Sequence, residues 1–149
     1  MIGVIVTGHG GFASGLEANV KMLAGSDARL TAIDFAEGLA PEALEEKLAA
    51  AMDACAAECV CTLVLTDIAG GTPFNRAATL SVARPTVRVL SGTNASMLMD
   101  VVMRNITEEE VTDVDALCAE LMETARENVS KFVLEAPAAD EPGDDEDGI

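Results

Sequence analysis

The chain has 149 residues, a length that suits one domain with a real core; half of the residues are apolar, and the formal net charge is -17. Seven of the acids fall between residues 135 and 149, where there is no base, leaving residues 1–134 with 19 acids against nine bases. Such a balance excludes a basic nucleic-acid face and disfavours an anionic membrane surface, but it leaves protein partners open.

Ile2 to Thr7 is a short β-branched run, read as a buried first strand. It has no basic stretch before it and runs straight into Gly8-His9-Gly10-Gly11, so a signal peptide is not expected. A helix is predicted from about Ala13 to Leu23, with Leu16, Val20 and Leu23 on one face and Gly25-Ser26-Asp27 closing it. Leu30 to Phe35 reads as a second strand. Pro41 and Glu42 mark a helix start, and that helix reaches about Ala57 with Leu44, Leu48, Ala51, Met52 and Cys55 on one side.

Val60 to Thr66 is a third strand, apolar on both faces apart from its threonines, as in a central parallel strand covered by helices. It stops at Asp67-Ile68-Ala69-Gly70-Gly71-Thr72-Pro73-Phe74-Asn75, and a helix is predicted from near Pro73 to about Ala83. Thr86 to Leu90 is a fourth strand ending in Ser91-Gly92-Thr93-Asn94. Ala95 to Met103 is a short helix. Thr112 or Asp113 caps a longer one that carries Val114, Leu117, Cys118, Leu121, Met122 and Ala125 at helical spacing. Phe132-Val133-Leu134 reads as a final short strand. Residues 135–149 read as an acidic disordered tail, which bounds the domain at residues 1–134.

Strands alternating with helices predict an α/β fold: an open, mostly parallel sheet with helices on both faces. No stretch reaches the roughly 18 apolar residues of a membrane span. Cys55, Cys59, Cys61 and Cys118 form neither a CxxC pair nor a disulfide framework. They read as small buried residues of a chain in the cytoplasm, and no metal or cofactor is expected.

In open parallel sheets the site lies off the carboxyl ends of the strands, where the order reverses. An order of 2-1-3-4 makes strands one and three neighbours and places His9, the only histidine, opposite Asp67. A lone histidine is more often an ordinary hydrogen-bonded loop residue, and an aspartate before Gly-Gly is often a turn cap. Three features favour chemistry: the strand end, the glycines around His9, and the helix start that follows it. A neutral imidazole is a nucleophile, and a carboxylate on one ring nitrogen leaves the other free to attack. Gly10, Gly11, Gly70, Gly71 and Thr72 offer N–H groups and one hydroxyl to phosphate oxygens. There is no Walker pattern and no lysine in these loops, so ATP is not the expected donor.

With GHG after strand one and DxxGGTPFN after strand three, the chain resembles the enzyme IIA component of the mannose family of the bacterial sugar phosphotransferase system. Ala32-Ile33-Asp34-Phe35 and Ser91-Gly92-Thr93-Asn94 extend the match over about residues 1 to 134. The resemblance implies a phosphoryl carrier, that is, a protein-histidine phosphotransferase component. His9 would take phosphate from phospho-HPr and pass it to a IIB component that works with membrane IIC and IID. It implies Asp67 bonded to the imidazole, Thr72 near the phosphate, and a homodimer that exchanges the strand at Phe132 to Leu134. The acidic end implies that IIB is a separate chain, and the TGHGGFASG wording looks closest to the branch for N-acetylgalactosamine and related amino sugars. Two other readings compete. One is the equivalent subunit of a dihydroxyacetone kinase system; the other is a flavodoxin-like module holding a phosphorylated ligand on Ser91 to Asn94.

Overall fold

In the computed structural model, residues 1–25 and 28–134 are described. Strand β1 (Ile2–His9) runs through the middle of the molecule, and its period of two sorts its side chains between two cores. Ile2, Val4 and Val6 point to one face of the sheet and Ile5 to the other. Strand β3 (Cys61–Thr66) repeats the pattern, with Cys61, Leu63 and Leu65 on the first face and Val64 on the second. Apolar residues on both faces are what a doubly covered strand needs, and every residue of β3 is buried.

Between these strands come helix α1 (Phe12–Ala24), strand β2 (Thr31–Phe35) and helix α2 (Pro41–Glu58); after β3 come helix α3 (Thr72–Ser81), strand β4 (Val87–Leu90), helix α4 (Ala95–Ile106) and helix α5 (Val114–Glu127). The four strands are parallel in the order β2-β1-β3-β4, as the sequence predicts. Helices α1, α4 and α5 cover one face through Val20, Leu98, Val101, Leu117 and Leu121. Helices α2 and α3 cover the other through Leu44, Leu48, Met52 and Ala77. Each fully buried leucine contributes on the order of 1.5–3 kcal/mol to the folded state.

Several expectations shift. Leu23 is 61% exposed, because the stripe that meets the core runs through Leu16, Val20 and Ala24 and leaves Leu23 outside it. Cys61 and Cys118 are buried, but Cys55, which lies over Gly3 of β1, and Cys59, just past the end of α2, are only half-buried. Helix α4 continues to Ile106, which lets Asn105 bridge to the start of β1: its amide accepts from the Ile2 N–H at 2.7 Å and donates to the Ile2 carbonyl at 2.8 Å. Helix α5 stops at Glu127, and Phe132, Val133 and Leu134 form no strand within this chain and are exposed. The acidic tail, like Ser26 and Asp27, lies outside the described residues. Among the described residues no helix is long and apolar enough to cross a membrane.

Candidate active site

His9 is the last residue of β1. Its neighbour in register on β2 is Phe35, and the β3 neighbour of Thr7 is Thr66, so Asp67 follows at the same level of the sheet. The strand order therefore brings together two residues 58 positions apart in the chain.

Asp67 Oδ2 lies 2.7 Å from His9 Nδ1 and also accepts the His9 backbone N–H at 2.8 Å. Its other oxygen accepts the Ile68 N–H at 2.8 Å. Partial burial pushes the carboxyl pKa up, but the two backbone N–H bonds and the bond to the His9 ring outweigh it, so Asp67 is held below its ordinary value. An ionised carboxylate only accepts, which puts the ring proton on Nδ1 and the free electron pair on Nε2. Phe35 packs against the ring in a T-shaped contact, with centroids 5.7 Å apart. The His9 side chain is 44% exposed and that of Asp67 13%, so the nucleophile faces solvent while its partner does not.

The loop after Asp67 closes on the imidazole. A Cβ on Gly71 would sit 2.8 Å from His9 Cε1, so only glycine lets the backbone lie against the ring edge between the two nitrogens. Helix α3 begins at the next residue, Thr72, with no side-chain cap. The turn at Ala69 and Gly70, with Gly70 at φ +77, directs the Gly71 N–H back toward the Ile68 carbonyl. Among the described residues, the N–H groups of Thr72 and Phe74 have no protein acceptor, and the Thr72 hydroxyl makes no hydrogen bond. A shallow hollow of about 300 Å³ lined by Pro41, Thr72, Asn75, Arg76 and Thr79 lies alongside. Larger hollows of about 500 and 570 Å³ sit around Met1 and Arg29, at the opposite end of β1. The site is thus an open surface, shaped for contact with another protein rather than for engulfing a small ligand.

The glycines after His9 behave differently from those after Asp67. The Gly10 N–H is spent on the Phe35 carbonyl at 2.9 Å, which removes it from the donors open to a phosphate. Farther into α1, the Ser14 N–H is taken by the Asp34 carboxylate of β2 at 3.0 Å. Gly11 lies at the start of α1 and keeps its N–H open among the described residues. The Ser91–Asn94 loop is likewise engaged: Gly92 and Thr93 donate to the carbonyls of Asp67 and Thr66 at 2.9 and 3.1 Å. Those bonds tie the loop to the end of β3 and remove the phosphate cradle that a flavodoxin-like module would need. Asp34, Phe35 and Asn75 carry no role in the sequence reading, because each acts across the sheet or back along the chain.

Comparison with known proteins gives the family. The family model described as PTS system fructose IIA component matches residues 3–122. The fructose-specific EIIA component of Bacillus subtilis is 35% identical over 101 residues, 68% of each chain. The mannose-specific EIIAB component of Escherichia coli K12 is 32% identical over 95% of this chain, which spans 45% of that protein's length. The mannose/sorbose-specific IIA subunit from Enterococcus faecalis superposes with a TM-score of 0.78 at 29% identity, covering 90% of this chain and 96% of its own. By fold, strand order and sequence together, the chain belongs to the mannose/fructose family of phosphotransferase system IIA components.

Proposed function

We propose that this chain carries phosphoryl groups on His9 Nε2, receiving them from the phosphorylated carrier HPr and passing them to a IIB component during sugar uptake. The observation that carries the proposal is the 2.7 Å bond between His9 Nδ1 and Asp67, which assigns the ring proton and leaves Nε2 as the nucleophile. In the forward step the Nε2 electron pair forms a bond to phosphorus. The phosphorus–nitrogen bond of the donor phosphohistidine breaks, and its electron pair returns to the donor ring. The loaded imidazole gains positive character, and Asp67 offsets it through Nδ1–H. Gly11, Gly70 and Thr72 stand as the donors for the phosphoryl oxygens, with the open start of α3 as the main contributor, and Gly71 lets the loop lie against the ring. Transfer to the acceptor is the same displacement in reverse, and it depends on positioning rather than on a cofactor.

The test is direct. Incubation of the full chain with phosphoenolpyruvate, enzyme I and HPr should give an acid-labile, base-stable adduct on His9. His9→Gln should abolish it while the circular dichroism spectrum stays unchanged. A labelled adduct on that variant would overturn the assignment. The donor also separates this reading from a dihydroxyacetone kinase subunit, which would draw on a different HPr-like domain.

A cytoplasmic homodimer goes with this reading. Phe132, Val133 and Leu134 are 82%, 70% and 82% exposed, and the sheet ends in open edges at β2 and β4. Pairing with the partner's edge would bury these side chains and satisfy both backbones, and two-fold symmetry makes the exchange reciprocal. Light scattering on the full chain should give a dimer at micromolar concentration, and loss of residues 131–149 should give a monomer or an unfolded chain. Ending the chain after Ala136 should change neither oligomeric state nor phosphorylation. The amino-sugar branch rests on the TGHGGFASG wording alone, since no residue of the site reads a sugar.

A further inference from the structure

We infer that Phe35 is a positioning residue for the transfer: its ring braces the His9 imidazole from the β2 side while Asp67 and Gly71 hold it from the β3 side, and the ring keeps one orientation whether free or loaded. The inference rests on the functional reading above.

Strand β1 lies between β2 and β3, so groups carried by the two neighbours reach His9 from opposite sides. From the β3 side, Asp67 ties Nδ1 at 2.7 Å and the Gly71 backbone closes on Cε1. Nδ1 and Cε1 are bonded to each other, so both restraints act along one edge of the imidazole. A ring held along one edge can still tilt about it. The Phe35 ring stands against that motion, 5.7 Å away between centroids and at 68° to the imidazole plane.

Phe35 is itself firmly placed. It is the last residue of β2 and lies in register with His9, and its carbonyl accepts the Gly10 N–H at 2.9 Å. The brace and the nucleophile therefore share one hydrogen-bonded backbone frame. The Phe35 side chain is half-buried and packs on the core beneath α2 and α3. An aromatic ring is flat and stiff, with few torsions to order, so it holds a neighbouring ring at little entropic cost. The brace matters because the His9 side chain is 44% exposed and gets little packing from elsewhere. The same nitrogen must meet a donor and then an acceptor in line, and a displacement of about 1 Å costs on the order of 100-fold in rate.

The experiment is NMR on the full chain, where His9 is the only histidine and its ring signals are unambiguous. Nuclear Overhauser contacts between the Phe35 and His9 ring protons should be present before and after phosphorylation through HPr. Long-range ¹H–¹⁵N spectra of the unphosphorylated wild type should show one tautomer, with the proton on Nδ1. In Phe35→Leu the ring can tilt and the Asp67 bond that selects the tautomer weakens, so the Nε2–H form should appear. Transfer should slow about 10-fold through kcat, with KM for phospho-HPr and the circular dichroism spectrum nearly unchanged. Phe35→Tyr, which keeps the ring, should restore the single tautomer and most of the rate. Loss of the ring contacts in the phosphorylated wild type overturns the inference alone, as does a folded Phe35→Leu that keeps one tautomer and transfers at full rate. A wild-type chain that takes no phosphoryl group overturns it together with the functional reading. The wild-type contacts decide the matter even if a variant fails to fold.

Discussion

Helices α1 and α3 both start just after a site residue, and both have a glycine at the N-cap with no side-chain cap bond. Helices α4 and α5, which build the core behind the sheet, cap themselves through Asn94 and Asp113. The two site helices then diverge. Asp34 reaches from β2 into the first turn of α1 and fills one of its orphan donors with a negative charge. The first turn of α3 receives no such group and stays open beside the imidazole. The strand ends look alike in sequence, but only one of them is electrostatically prepared for an anion. A cap contributes stability at the expense of an anion site, so the missing cap on α3 reads as functional and the borrowed cap on α1 as structural.

The largest test of this contrast is at Asp67 and Gly71, where the α3 side meets the ring. Asp67→Asn keeps the shape but loses the charge-assisted bond to Nδ1, and transfer should slow by about 10- to 1000-fold. Unchanged rates in both directions would reduce Asp67 to a loop cap. Gly71→Ala places a methyl 2.8 Å from His9 Cε1 and 3.2 Å from Ile68 Cγ1, so the ring or the loop must move. A displacement of about 1 Å at the reacting atom costs on the order of 100-fold in rate. Gly11→Ala meets only Ser14 Oγ at 3.5 Å, an ordinary contact, and should leave transfer nearly intact. Equal losses at the two glycines would erase the distinction between the helices.

Acid sharpens the same point. Asp67 is held below its ordinary 3.8, so the stability it contributes is present above that value and is lost as pH falls through the lowered folded pKa. Urea unfolding of wild type should therefore weaken between the ordinary value and the lower folded one, while Asp67→Asn, lacking that carboxyl, should show a flatter profile. Parallel profiles would mean that the site carboxylate is not coupled to folding.

Much of this was readable from residue order. The β-branched runs and their spacing give the strands, and the parallel order follows from the helices between them. His9 and Asp67 then meet because strands one and three are neighbours. What escapes the sequence is whatever joins distant positions by a single side chain. Asp34 serves a helix 20 residues away, and Asn105 bridges to Ile2 across 103 residues, with no periodicity to announce either. Leu23 fits an apolar stripe with Leu16 and Val20, but the contacts to the core pass instead through Ala24 and leave it exposed. Pattern reports which face of a helix is apolar, not which of two adjacent apolar residues meets the core.

A smaller effect is expected at Asp34 itself. Asp34→Ala removes the acceptor for the Ser14 N–H and should cost about 1 kcal/mol of stability, the usual scale for a lost N-cap. Transfer should be nearly preserved, because the start of α3 and not that of α1 is the main contributor of donors to the phosphoryl group, and the Ser14 N–H that Asp34 holds is not among them. A stable variant with slowed transfer would return α1 to the anion site.

The smallest prediction concerns the far end of a core helix, where the chain accepts a cost rather than exploiting one. After α4 the N–H of Glu109 bonds the Arg104 carbonyl at 2.9 Å and the N–H of Glu108 approaches the Asn105 carbonyl at 3.4 Å, the paired bonds of a helix stop that requires a left-handed residue between them. That residue is Glu108, at φ +56, the one described non-glycine residue with positive φ. Its side chain is exposed and makes no hydrogen bond or ion pair among the described residues, so the Cβ brings strain without a compensating contact. Glu108→Gly relieves that strain, and the greater freedom of glycine in the unfolded chain offsets part of the gain. The net should be a rise of about 0.5–1 kcal/mol in unfolding free energy, read as a higher urea midpoint at constant slope. Phosphoryl transfer should not change, because this turn lies at the opposite end of β1 from His9, beside the hollow around Met1. A fall in stability would show that the Glu108 side chain contributes more than its backbone costs.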